Sequence, residues 1–159
     1  MVEENLINQR KIQTKMTELK EITMYTRGVS SITGNGGYGV VLLYNGRRKE
    51  LSGSLENSSN NKMDIVAAIE GLKALKFPCK VTIYNNNTYL IDAINKGWIE
   101  RWEAKGWKNS EKKATPNVEL WKQLKEMCSI HEVSFVYVKA DFQNQDYKCC
   151  DSLAKLATR

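Results

Sequence analysis

The sequence predicts a mixed α/β fold in which helices cover the faces of one five-stranded sheet. Three strand-like segments come first and are joined by short turns, so these neighbours are expected to run antiparallel. Helical patterns then precede each of the last two strand-like segments, and such crossovers place strands parallel. A further helical pattern ends the chain. The five strand-like segments are residues 22–28, 40–44, 49–54, 79–84 and 133–138.

Turn signals separate the first three strands. Residues 22–28 alternate apolar and polar side chains before a glycine, which is typical of a half-buried strand that enters a turn. A glycine-rich turn is expected over residues 34–39, and Asn45-Gly46 predicts the next hairpin turn. Arg27 is therefore expected at the end of the first strand, where its side chain reaches the edge of the sheet.

The helices are predicted from capping residues and from apolar side chains at helical spacing. The first is expected to begin in the polar run 58–61 and to end before Pro78. A basic loop is expected over residues 106–114. The remaining helical segments are predicted over residues 88–95 and 97–105, from Pro116 onward, and around residues 150–156.

Length and composition indicate one domain, residues 20–159, preceded by a polar arm over residues 1–19. The net charge of +6 favours a polyanionic partner without identifying one. No apolar run approaches the length of a membrane span, and charged residues interrupt the N-terminus where a signal peptide would be apolar. A cytoplasmic protein without a membrane partner is therefore predicted. The four cysteines lack zinc-binding spacing.

Five motifs are informative together, although each alone would be weak. They are Gly36-Gly37-Tyr38-Gly39, Asn60-Asn61-Lys62-Met63-Asp64, Trp98…Trp102…Gly106-Trp107-Lys108, Asn117-Val118-Glu119-Leu120-Trp121 and Cys150-Asp151-Ser152-Leu153-Ala154. With these motifs the chain resembles type 1 ribonuclease H over roughly residues 20–158. The resemblance implies a ribonuclease H-like sheet with strand order 3-2-1-4-5. It also implies cleavage of the RNA strand of RNA–DNA hybrids by two Mg²⁺ ions held by carboxylates.

The catalytic positions implied by this resemblance are mostly changed. Arg27 stands where the family has the aspartate of the first strand, and Asn86 stands where it has the aspartate after the fourth strand. Asp64 replaces a glutamate in the first helix, and Asp141 replaces a mobile histidine. Asp151 alone is retained. No shift in alignment restores the lost acids, because residues 22–49 and 77–91 contain no Asp or Glu.

These changes argue against a two-metal site. A guanidinium ~4 Å from Mg²⁺ is repelled by roughly 8 kcal/mol at an effective dielectric constant of about 20. We therefore expect no cofactor, and we expect Arg27 to occupy the metal position and pair with Asp64 and Asp151. The alternative is that Arg27 points into solvent and leaves a hydrated pocket.

A nucleic-acid surface is retained in part. The resemblance assigns contacts with the hybrid to Ser59, Asn60, Asn61 and Trp98, and Thr88 replaces a glutamine that contacts the groove. Helix capping explains Asn60 and Asn61 almost as well. Lysines of the basic loop suit phosphate contacts, although a solvated surface explains them equally well. These lysines are Lys105, Lys108, Lys112 and Lys113.

Other residues receive simpler interpretations. Core packing is expected for Trp102, Trp107 and Trp121. His131, the single histidine, is expected on the surface and does not match the histidine of the family.

The favoured interpretation is a catalytically inactive ribonuclease H-like protein that binds RNA–DNA hybrid or another duplex. One alternative is a protein-interaction or scaffold role in which nucleic acid plays no part. The other is a weak or altered nuclease that uses Mn²⁺ or Mg²⁺ through Asp64, Asp141 and Asp151.

Overall fold

The structure, a computed structural model, describes residues 3–5, 19–108 and 115–159. From residue 20 onward the described chain forms five strands and five helices. In chain order these are β1 Lys20–Ser30, β2 Gly36–Tyr44, β3 Arg47–Leu55, α1 Asn60–Lys73, β4 Cys79–Asn85, α2 Thr88–Asn95, α3 Trp98–Ala104, α4 Val118–Ile130, β5 Glu132–Tyr137 and α5 Gln145–Ala157. The predicted N-terminal arm lies almost wholly outside the described residues.

The sheet has the order β3-β2-β1-β4-β5, which confirms the predicted fold. β1, β2 and β3 pair antiparallel, while β4 pairs parallel with both β1 and β5. β1 therefore lies at the centre of the sheet, where an antiparallel hairpin meets a parallel pair. The carboxyl ends of β1 and β4 consequently lie side by side.

Two hydrophobic clusters lie on opposite faces of the sheet. The larger one joins the sheet to α1, α2, α3 and α4, and Trp121 is fully buried within it. The smaller one joins β1 and β2 to α5 through Tyr25, Val41, Tyr147 and Cys150. This sandwich places α1 and α5 on either side of the end of β1. Among the described residues, no helix is both long and apolar enough to cross a membrane.

Two local predictions are wrong. β2 begins at Gly36, inside the segment predicted to be a turn, because its glycines let helices pack directly against the strand. Gly36 faces Met63 of α1, and Gly37 and Gly39 face the backbone of α5. A Cβ atom on Gly39 would lie 2.2 Å from the Cys150 carbonyl oxygen. His131 is buried rather than on the surface, and its Nδ1 accepts a hydrogen bond of 3.0 Å from the Cys79 backbone N–H. Burial lowers the pKa of His131.

Candidate functional site

The four catalytic positions implied by the sequence meet at the carboxyl ends of β1 and β4. Arg27 lies near the end of β1, and Asn86 follows β4 directly. Asp64 lies in α1, which packs tightly on β1, since a Cβ atom on Gly28 would lie 2.2 Å from the Asp64 backbone nitrogen. Asp151 lies in α5 on the opposite face of the sheet. The fold therefore brings side chains from four separate segments to one point.

Arg27 occupies the middle of this group. Its Nε donates to Asp151 Oδ1 at 3.1 Å, and its Nη1 donates to Asn86 Oδ1 at 2.9 Å. Nη1 also donates to the Gly28 carbonyl oxygen at 3.3 Å and lies 3.9 Å from Asp64 Oδ2. The side chain is 21% exposed, so it does not extend into solvent. Arg27 thus joins both remaining carboxylates, as the sequence suggested.

Asp64 is held as a buried acceptor of hydrogen bonds. Its Oδ1 accepts from the Gly28 backbone N–H at 2.7 Å and from Asn85 Nδ2 at 3.0 Å. Its Oδ2 accepts from Asn87 Nδ2 at 2.8 Å. Burial raises the pKa of Asp64, while the asparagine and backbone hydrogen bonds and the charge of Arg27 oppose that shift. The carboxylate oxygens of Asp64, which would have to bind a metal ion, are therefore largely occupied by hydrogen-bond donors of the protein.

Asn85 and Asn87 were not identified from the sequence, which drew attention only to Asn86. Asn85 Nδ2 also donates to the Thr26 carbonyl oxygen at 2.9 Å, which ties β4 to β1. Asn87 is the N-cap of α2, because its side chain accepts from the Tyr89 backbone N–H. The run of three asparagines was the available signal. Such a run also suits a loop, so it did not reveal which of the three would face the carboxylate.

An open cavity of about 440 Å³ lies beside Arg27. Asp151 and Lys155 line it, and Lys155 Nζ lies 2.7 Å from Asp151 Oδ2. Asp141 also lines the cavity but is exposed, and it contributes its backbone oxygen to a hydrogen bond with Gln143 Nε2. The predicted acids Asp141 and Asp151 therefore line one cavity, and Arg27 joins Asp151 to the buried Asp64.

The residues present do not fit two magnesium ions. Mg²⁺ requires octahedral oxygen ligands, and a pair of such ions requires several carboxylates. Here a guanidinium contacts both Asp64 and Asp151, and Asn86 offers an uncharged oxygen that already accepts from Arg27. Within the described part of the chain, no group of three or more Asp, Glu, His or Cys side chains has an arrangement suited to a metal ion.

The predicted contact residues for nucleic acid lie beside this site. Ser59 Oγ caps α1 by accepting from the Lys62 backbone N–H at 3.2 Å, and Asn60 Oδ1 accepts from the Ser30 backbone N–H at 2.6 Å. Asn61 Oδ1 accepts from Asn87 Nδ2 at 2.9 Å. Capping and loop anchoring are therefore real roles of these side chains. All three residues remain exposed, as does Thr88.

The predicted aromatic and basic residues form a second surface. Trp98, Arg101, Trp102 and Lys105 line a shallow depression of about 360 Å³ on α3. Trp98 and Trp102 are half-buried and belong to an aromatic cluster with Tyr89. Lys108 is exposed at the end of this region, whereas the predicted residues Lys112 and Lys113 lie outside the described residues.

Comparison with known proteins decides the family. The RNase H family model matches residues 19–159. The chain belongs to the ribonuclease H family. A ribonuclease H of Syntrophus aciditrophicus (strain SB) is 48% identical over 139 residues, covering 87% of this chain and 80% of the relative. A ribonuclease H of Rippkaea orientalis is 47% identical over 141 residues, covering 88% and 86%.

Solved structures share the fold of this chain. LC9-RNase H1, described as a type 1 RNase H with the type 2 active-site motif, superposes with a TM-score of 0.77 at 22% identity, covering 88% of this chain and 72% of that chain. The foamy viral protease-reverse transcriptase in complex with RNA/DNA hybrid superposes with a TM-score of 0.69 at 19% identity, covering 88% and 20%. At these identities the likeness concerns the fold alone.

Proposed function

We propose that this chain binds RNA–DNA hybrid, or a related duplex, through its ribonuclease H fold and does not cleave it by the two-metal reaction. The position of Arg27 carries this proposal, because its guanidinium contacts both Asp64 and Asp151. A cation held between the two carboxylates competes for the charge that would bind Mg²⁺. On this proposal Asp64, Asp141 and Asp151 are remnants of a catalytic site.

The exposed surface around the site supports binding. The N-terminal ends of α1 and α2 present Ser59, Asn60, Asn61 and Thr88 to solvent. Hydroxyl and amide groups of this kind contact sugars and base edges in a shallow minor groove. The net charge of +6 favours a polyanion over a basic or neutral partner. We propose that residues 20–159 form the binding domain, that residues 1–19 are a separate arm, and that the protein acts in the cytoplasm.

The second candidate function is metal-dependent cleavage of the RNA strand of hybrids. The relatives favour this function, because proteins that are 48% and 47% identical carry the name Ribonuclease H. In this case Asp64, Asp141 and Asp151 would have to bind Mn²⁺ or Mg²⁺ after Arg27 moves away. A protein-interaction role without nucleic acid is the remaining alternative.

One experiment with a labelled RNA–DNA hybrid separates the three. Fluorescence anisotropy in EDTA measures binding as the salt concentration is raised, and a denaturing gel with Mg²⁺ or Mn²⁺ measures cleavage. We expect binding that weakens as salt rises, with no cleavage in either metal. Sustained turnover would overturn the proposal in favour of the nuclease. Absence of binding even at low salt would overturn it in favour of the protein-interaction role.

A further inference from the structure

We propose that the cavity beside Arg27 binds a backbone phosphate of the duplex directly through cationic side chains, with no metal ion between protein and phosphate. The inference rests on the proposed function, since it assigns a phosphate site to the bound nucleic acid. Arg27, Lys148 and Lys155 are the cations that line this cavity. Asn86 lines it as well and adds an amide.

Arg27 keeps donors for such a ligand. The hydrogen bonds that it makes to Asp151, Asn86 and Gly28 use Nε and Nη1. Among the described residues, no acceptor is hydrogen-bonded to Nη2. A guanidinium nitrogen of this kind donates well to a phosphate oxygen. Because Asn86 Oδ1 accepts from Arg27, the Nδ2 group of Asn86 is also left as a donor at the cavity.

The lysines lie nearer to solvent than the carboxylates behind them, whereas Arg27, with 21% of its side chain exposed, lies about as deep as Asp151. Lys155 is 67% exposed and contacts Asp151, which is 25% exposed. Asp64 lies deepest, with 1% of its side chain exposed. Lys148 is also exposed, and Asp141 is the opposing charge at the rim. A phosphate that enters the cavity would therefore meet ammonium groups before it meets Asp64 or Asp151.

The balance of charge differs from that of a site built for divalent ions. A cluster of four carboxylates repels a phosphate unless metal ions neutralise it. Here Arg27, Lys148 and Lys155 line the cavity with Asp141 and Asp151, so that, with the buried Asp64 behind Arg27 included, three cations balance three carboxylates. Phosphate binding at this cavity consequently needs no Mg²⁺, and added Mg²⁺ acts only as a competing counterion.

The test is the salt dependence of hybrid binding, measured by anisotropy in EDTA for wild type, Arg27→Gln and Lys155→Gln. Each direct phosphate contact contributes about −0.9 to the slope of log affinity against log salt. Removing one contact should therefore make the slope shallower by about 0.9. Wild type would then lose about 3.5-fold more affinity than the variant over a roughly fourfold increase in salt.

Lys80→Gln is the matched control. Lys80 is another exposed lysine, 52% accessible, at the start of β4 and so at the opposite end of that strand from Asn86. We expect its slope to equal that of wild type. Circular dichroism checks that Arg27→Gln remains folded. If Arg27→Gln is unfolded, Lys155→Gln still tests the site, because Lys155 is a surface residue.

The outcomes distinguish failure of the proposed phosphate site from failure of the proposed function. Shallower slopes for Arg27→Gln and Lys155→Gln, with no gain in affinity when Mg²⁺ replaces EDTA, support the site. Wild-type binding with equal slopes for Lys155→Gln, Lys80→Gln and wild type overturns the site while hybrid binding stands. Tighter binding in Mg²⁺ also overturns it. Failure of the wild-type protein to bind any hybrid overturns the proposed function itself.

Discussion

Restoring carboxylates at positions 27 and 86 should convert this site into one that binds Mg²⁺. The double substitution Arg27→Asp with Asn86→Asp removes the guanidinium and adds two acids beside Asp64 and Asp151. All four positions already converge at the carboxyl ends of β1 and β4, so the new carboxylates would lie beside Asp64 and Asp151. Magnesium-dependent cleavage of a hybrid is expected to appear in this variant.

The magnitude follows from the distances around Arg27. Nη1 lies 3.9 Å from Asp64 Oδ2. A Mg²⁺ ion bound to that oxygen at about 2.1 Å would lie no farther than about 6 Å from Nη1. At an effective dielectric constant of about 20, the repulsion at that separation is at least roughly 5 kcal/mol. Loss of this repulsion alone would change metal affinity by about three to four powers of ten.

Thermal unfolding in EDTA and in Mg²⁺ measures the result. In EDTA the double variant should be less stable than wild type, because it loses the pairs of Arg27 and gains like charges. Mg²⁺ at about 100 times its dissociation constant should then stabilise the variant by about 2.7 kcal/mol. Wild type should show no comparable stabilisation.

Asn86→Asp alone is the control, since it adds an acid but keeps Arg27. Equal stabilisation by Mg²⁺ of this single variant and the double variant would refute the claim that Arg27 excludes the metal. A double variant that folds but gains neither metal binding nor cleavage would show that further residues, such as Asn85 and Asn87 around Asp64, block the site.

Three further substitutions test the structure of the site. Gly28→Ala should lower the free energy of unfolding in urea by at least about 1–3 kcal/mol, because the added Cβ would lie 2.2 Å from the Asp64 nitrogen; an unchanged midpoint would contradict this close packing. Asp64→Ala should cost about 1–3 kcal/mol, because it leaves the buried Gly28 N–H without an acceptor, while Arg27 keeps its pair with Asp151; a loss below about 1 kcal/mol would show that Asp64 is not structural. His131→Asn keeps an acceptor for the Cys79 N–H but cannot titrate. Burial lowers the pKa of His131, so the contribution of the neutral ring to stability is present above the usual pKa of 6.5 and is lost as pH falls through the folded pKa. Wild type should therefore lose stability relative to this variant as pH falls below about 6.5; a constant difference would contradict the assignment.

Much of the fold was predictable because its signals are local. Hairpin turns fixed the antiparallel strands, and helical crossovers placed β4 beside β1. The convergence of Arg27, Asp64 and Asp151 was predictable only through the family resemblance. Periodicity assigns each of these residues to an element, but it does not bring together segments that lie more than 100 residues apart.

The errors have physical causes that the sequence does not show. The pattern of glycines at 36, 37 and 39 predicts a turn, whereas close packing explains their place in β2, with Gly36 against Met63 of α1 and Gly37 and Gly39 against α5. His131 lies between the end of α4 and the start of β5, and its burial depends on the packing of the Cys79 backbone against it. Which of the three asparagines face Asp64 depends on how β4 pairs with β1. That pairing determines the roles of Asn85 and Asn87.

Crystals soaked in Mn²⁺ would test the exclusion of metal most directly, because anomalous scattering locates the ion without reference to activity. With Arg27 joining Asp64 and Asp151, no anomalous peak is expected within coordination distance of both carboxylates. Two peaks there, with the guanidinium turned away into the cavity, would contradict the exclusion and favour a metal-dependent nuclease.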